Sequence, residues 1–210
     1  MEEKFTVCIG RQYGSGGREV GALVAKKLGV VCYDKLLIQE AAKKSGLDEK
    51  LLEQEDERLT DIILPFSGNT FADEADMAGV FYSAGENAYS AEKQAILSIA
   101  DRESSVMIGR CASSILSDRK NMLSVFLYAD EADGVARIAR RNGLTERQAR
   151  ERMEKVNRMR RRYFNFYSMT EWGKPESYDA MLCTSTLGLE GCAEVIVQML
   201  NRKLEANSHE

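Results

Sequence analysis

A parallel sheet covered on both faces by helices, an α/β architecture, is the fold class this sequence predicts. Three observations carry that prediction. Short apolar runs rich in β-branched residues alternate with amphipathic stretches of helical spacing from one end of the chain to the other. The runs lack a polar face, the pattern of strands buried on both sides. No Pro/Gly-rich linker or low-complexity stretch divides the 210 residues, so a single domain over 1–210 is expected.

The first strand, 5–9 (FTVCI), ends at a glycine cluster. A helix follows from Arg18, in which Val20, Leu23, Val24, Ala25 and Leu28 recur at helical spacing and Gly29 supplies the stop. A second buried strand, VVCYD, ends at Asp34. Helices are expected over 35–44 and 48–59, after which Pro65, Gly68, Asn69, Gly79 and Gly85 break the pattern and mark an insertion that can serve as a lid. Then come a helix over 86–102, the strand SVMIG running to Gly109 and Arg110, a helical turn through Ile115 and Leu116, and a strand over 122–129. Helices over 131–142 and 145–162 follow, the second opened by a capping box of Thr145 and Gln148. The strand YDAMLCTS and a helix over 189–204 complete the pattern. Ligands of such sheets bind at the carboxyl ends of the strands, and Gly10 to Glu19, Asp34, and Gly109 with Arg110 all stand at such ends.

Composition narrows the chemistry. The five cysteines are scattered and never spaced as C-x-x-C, and the one histidine, His209, stands in a polar tail. A disulfide framework, a zinc site and histidine acid/base catalysis are therefore set aside, and the cysteines read as small buried hydrophobes. No apolar run reaches the length of a membrane span, and the start MEEKFTVCIG passes directly into a strand, so a cytoplasmic protein without a membrane partner is expected. A net charge of −4 argues against a nucleic-acid partner, although arginines crowd between Arg137 and Arg162.

The segment GRQYGSGGRE, Gly10 to Glu19, holds four glycines in its first eight positions. Glycines let backbone N–H groups converge on one anion, and the helix that follows adds the positive end of its dipole. Gly10, Arg11, Gly14, Ser15, Gly16, Gly17, Arg18 and Glu19 are thus candidates for holding phosphate. The pattern G-x-x-x-x-G-K-[ST] is not met: with Gly17, Arg18 and Glu19 in the last three places, Arg18 replaces the lysine and Glu19 the metal-binding hydroxyl. A tight turn without ligand and a dinucleotide loop are the competing readings; Asp34 suits the second, the G-S-G-G spacing does not.

The stretches TVCIGRQYGSGGREVGALVAKKLGVVCYDKLLI, VMIGRCASSIL and RRRYFNFYSMTEWGKPESYDAMLCTS resemble the cytidylate kinase-like family of bacterial P-loop proteins over nearly the whole chain. The resemblance implies a P-loop NTPase three-layer α/β/α fold, with a helical acceptor-binding insertion near 56–90 and an arginine-rich lid near 143–175. It implies ATP and Mg2+ as cofactors, with metal ligands unassigned, and a nucleotide and a small-molecule acceptor as partners. Asp34 falls on the aspartate of a D-S-G segment that contacts the acceptor nucleotide, Lys35 replacing the serine. Gly109 and Arg110 match a G-R-D segment whose arginine grips the acceptor phosphate, Cys111 replacing the aspartate.

NRMRRRYF, Asn157 to Phe164, falls where such kinases carry lid arginines, and Asn157 stands where relatives often have aspartate. Helical spacing puts Arg158, Arg161 and Arg162 side by side and turns Arg160 elsewhere, whereas the resemblance favours Arg160. Arg18, Arg158, Arg160 and Arg161 are the candidates for stabilising the transferring phosphoryl group; a solvated basic helix face is the plainer alternative. The aromatic groups Tyr163, Phe164, Phe166, Tyr167 and Phe71, Phe81, Tyr82 read as core or hinge packing, with base stacking as the other use. ATP-dependent phosphoryl transfer to a nucleoside monophosphate such as CMP or dCMP is the expected function. A nucleotide-binding regulator or degenerate kinase, and a kinase for a non-nucleotide metabolite, are the alternatives.

Overall fold

A computed structural model describes residues 4–34 and 89–208. The helices expected over 35–44 and 48–59, the insertion, and Lys35 with Phe71, Phe81 and Tyr82 lie outside the described residues. The chain divides into two compact units, Met1–Asp34 with Ile99–Glu210, and Lys35–Ser98. Of the second, residues 89–98 are described and are helical.

The first unit is built on five parallel strands: β1 (Thr6–Arg11), β2 (Val31–Tyr33), β3 (Ser105–Ile108), β4 (Met122–Tyr128) and β5 (Ala180–Cys183), ordered β2-β3-β1-β4-β5. The most apolar runs therefore occupy the middle. β2 lies at the edge, with Val31 39% exposed, so the expectation of a second fully buried strand is corrected: an edge strand needs only one covered side. β1 also runs further than expected. Gly10 pairs in register with Phe126 and Arg11 with Leu127, which puts both residues inside the strand and starts the loop at Gln12.

Helices α1 (Gly17–Leu28), α2 (residues 89–102), α3 (Ala112–Ile115), α4 (Glu131–Asn142), α5 (Glu146–Tyr167) and α6 (Thr184–Asn207) alternate with the strands. On one face of the sheet Val7, Ile9, Val106, Leu123, Val125 and Leu127 pack against Val20 and Val24 of α1 and Ala193, Ile196 and Leu200 of α6. Residues of the opposite parity point to the other face, where Phe126 meets Trp172 edge-on at 5.0 Å and Tyr178 at 5.0 Å, and Phe164 of α5 stacks on Tyr178 at 6.2 Å. Core packing is thus the use of Phe164, while Phe166 stands exposed.

Helix ends follow local chemistry. Gly29 closes α1 and Gly143 closes α4, both left-handed. Thr145 and Gln148 form the reciprocal capping box, Gln148 N–H donating to Thr145 Oγ1 at 3.3 Å and Thr145 N–H to Gln148 Oε1 at 3.0 Å. α5 continues five residues beyond the expected end at Arg162, because Phe164 is buried in the aromatic cluster and carries the last turn with it. α6 begins at Thr184 but carries a non-helical Gly188, so its regular part starts at Leu189 as expected. The five cysteines are free; Cys8, Cys111 and Cys192 are buried, Cys32 and Cys183 partly so. Burial pushes the Cys8 thiol far up and that of Cys32 to about 11, which leaves both as inert packing groups. Among the described residues no helix is long and apolar enough to cross a membrane.

Since α5 carries the arginines over the loop after β1, its cap is the simplest test of how that helix is held. Thr145→Ala removes the acceptor for Gln148 N–H and is expected to lower stability by about 1 kcal/mol in urea unfolding; an unchanged midpoint would show that the box contributes nothing.

Candidate phosphate-binding site

Between β1 and α1 the chain passes through Gln12 to Gly16, and its carbonyl groups are held from outside. Arg160 of α5 donates to the Arg11 carbonyl at 3.0 Å. The Ser15 hydroxyl donates to the Gln12 carbonyl at 2.9 Å, and Arg137 of α4 donates to the Gly14 carbonyl. Thr184, buried at the start of α6, donates to the Ser15 carbonyl at 2.8 Å and also approaches the Tyr128 carbonyl at 3.2 Å. Among the described residues the N–H groups of Gly17, Arg18 and Glu19 are left over: the first helical bond of α1 runs from Val20 N–H to the Gly16 carbonyl at 3.0 Å. A cluster of unspent donors at a helix start is a site for an anion.

Glycine is needed here for two reasons. Gly14 and Gly16 sit at φ 88 and 75, a left-handed backbone that side chains disfavour. The loop is also hemmed in, since a Cβ on Gly14 would lie 2.7 Å from the Gly134 carbonyl oxygen and one on Gly16 2.5 Å from Leu189 Cδ2. Gly10 answers to a different constraint: its Cβ would lie 2.9 Å from both Phe126 and Tyr178, so it makes room for the aromatic cluster.

The predicted site residues fall into three groups. Arg11, Arg18 and Asp34 meet: Arg18 Nε lies 2.7 Å and Arg11 Nη2 3.5 Å from the Asp34 carboxylate. Gly109, Arg110 and Cys111 follow β3 in three successive left-handed conformations. Two of the three are not glycine, a strain of about 1–3 kcal/mol each that the surrounding fold must impose. Among the arginines of α5, Arg160 reaches the loop and lies 5.6 Å from the Tyr13 ring centroid, Arg161 stacks on Trp172 at 5.5 Å, and Arg158 is exposed.

Sequence reasoning passed over several groups that hold the loop. Tyr13 donates its N–H to Asn157 Oδ1 at 2.7 Å, and its ring is bracketed by Arg160 and by Arg141 at 5.3 Å. Burial raises the Tyr13 phenol, but the Arg141 guanidinium and Asn142 amide beside it outweigh burial and hold it below its ordinary value. Arg137 and Thr184 are 123 and 169 residues from their partners, a separation no local pattern announces.

Mg2+ fits the described residues poorly. Ser15 is buried and spends its hydroxyl on Gln12, Asp34 is held by two guanidinium groups, and Glu19 is exposed. Among the described residues no three His, Cys, Asp or Glu side chains converge on one point.

The family model described as the cytidylate kinase-like family matches residues 6–186. The chain belongs to that family. No curated protein matches it. Among solved structures, an uncharacterised protein from Eubacterium ventriosum is similar at 25% identity and TM-score 0.68, over 94% of this chain and 99% of that one. A shikimate kinase from Acinetobacter baumannii, in complex with shikimate, aligns at 15% identity and TM-score 0.52 over 96% and 95% of the two chains. A gluconokinase from Sinorhizobium meliloti aligns at 14% identity and TM-score 0.50 over 100% and 98%. With the all-parallel sheet, these establish a P-loop NTPase fold.

If outward ties shape the loop, removing one should cost stability without any ligand present. Thr184→Val deletes the hydroxyl at nearly constant volume and takes from the Ser15 carbonyl the donor that holds it. A loss of about 1–3 kcal/mol is expected in urea unfolding. A variant as stable as the parent would mean that the Thr184 bonds do not hold the loop.

Proposed function

We propose that the protein transfers the terminal phosphoryl group of ATP to a small acceptor, with a nucleoside monophosphate such as CMP or dCMP as the first candidate. The observation that carries this reading is the set of amides at Gly17, Arg18 and Glu19 left without a partner among the described residues, backed by Arg11, Arg18 and Arg160. Family membership agrees with it. Phosphoryl transfer asks for positioning and for positive charge around the equatorial oxygens more than for covalent chemistry, and no general base is required. In this scheme the loop holds the ATP phosphates, Arg160 is the lid arginine nearest them, and Arg110, with Asp34 and Lys35, serves the acceptor. ATP would bring the transferable phosphoryl group, while the chain supplies amides and guanidinium groups to hold it.

One observation favours a second reading, a kinase for a non-nucleotide metabolite. Cys111 is buried where the G-R-D segment of cytidylate kinases has a carboxylate, so one polar contact to an acceptor base is missing. Solved relatives of the fold include proteins named shikimate kinase and gluconokinase, which makes hydroxylated metabolites a reasonable second panel.

A coupled ADP-release assay over CMP, dCMP, UMP, AMP and a set of polyols and hydroxy acids distinguishes these readings. Release that depends on CMP or dCMP supports the first, and release only with a metabolite supports the second. ATP binding with no acceptor-dependent release would support a regulator instead. With the active acceptor in hand, Arg110→Ala should mainly raise its KM, and Arg160→Ala should lower kcat by about a hundredfold. Unchanged kinetics in both variants would refute these assignments.

A further inference from the structure

We infer that Arg11, entering from the strand, is the cation that grips the polyphosphate, in the role a G-K-[ST] loop gives to a lysine of the helix. The inference rests on the ATP reading above. Gly17 opens α1, with left-handed Gly16 as its cap. A side chain at position 17 would begin 2.9 Å from Arg11 Cβ and 3.0 Å from Arg11 Cδ, so the methylenes of Arg11 already fill that space. At the other end, Arg11 Nη1 would lie 2.5 Å from a Cβ on Gly109, and Nη2 lies 3.5 Å from Asp34. The side chain therefore leaves β1, crosses the start of α1 and ends beside the termini of β2 and β3. Position 17 is kept clear for the stem of this side chain, whereas Gly109 stands at φ 77, a left-handed backbone that favours glycine by itself.

Burial separates the two arginines of the cluster. Arg11 is 12% exposed and Arg18 64%. A guanidinium held in a recess, where the effective dielectric is low, attracts phosphate far more strongly than one in water. Its planar fork also spans two oxygens, which an ammonium does not. Asp34 holds the recessed group in place, and Arg18 closes the carboxylate's outer side.

Calorimetric titration with ATP tests this on the wild type, Arg11→Met, Arg11→Ala and Arg18→Met, with thermal unfolding of each apo protein. Methionine keeps the packing stem and removes the charge, so Arg11→Met should lose about tenfold to a hundredfold in affinity. Arg18→Met should lose no more than about fivefold. ATP binding by Arg11→Met equal to wild type, or a loss confined to Arg18→Met, would overturn the inference while leaving the ATP reading intact. Failure of the wild type to bind ATP would remove both. If Arg11→Met does not fold, Arg11→Ala with its apo unfolding curve and the Arg18→Met titration still decide.

Discussion

A loop of backbone carries as many carbonyl oxygens as amide hydrogens, and it attracts an anion only if the oxygens are turned away and kept there. In this protein that constraint is met by side chains from distant parts of the chain. Arg160 and Arg137 hold the carbonyls of Arg11 and Gly14, Thr184 holds that of Ser15, and Ser15 itself holds that of Gln12. What faces inward at the start of α1 is N–H, reinforced by the helix dipole.

The same ties use part of the concentration of arginines in α4 and α5 of an acidic protein. Arg137, Arg141 and Arg160 serve the loop or the Tyr13 ring within it, so the two helices are docked on the phosphate site through charge-bearing groups. Asn157 completes the clasp by accepting from Tyr13 N–H. An aspartate at 157 could accept the same bond, and the amide does it without placing a negative charge beside an anion site.

Local chemistry in the sequence was enough for most elements. Gly29 and Gly143 stop their helices, Thr145 with Gln148 starts another, and unbroken apolar runs mark the inner strands. Each of these depends on neighbours within a few residues. The edge position of β2 and the extension of β1 through Gly10 and Arg11 depend on which strands lie alongside, which a periodicity does not encode. Around the loop, the glycines, Arg11 and Arg18 were singled out by residue type as phosphate candidates and Asp34 separately as an acceptor contact; that the three side chains meet was not legible. Nor was their geometry: nothing in the string shows that the stem of Arg11 fills the space above Gly17, or that Thr184 reaches Ser15. Arg160 stood apart from its neighbours on the helical wheel, and that difference in direction is what carries it to the loop.

Amide resonances of Gly16 through Glu19, followed by NMR during titration with ATP, test the central claim most directly. Donors that meet phosphate oxygens should shift strongly downfield and become protected from hydrogen exchange, while the Tyr13 amide, already bonded to Asn157, should change little. Saturable ATP binding that leaves the amides of 16–19 unshifted and freely exchanging would contradict the account.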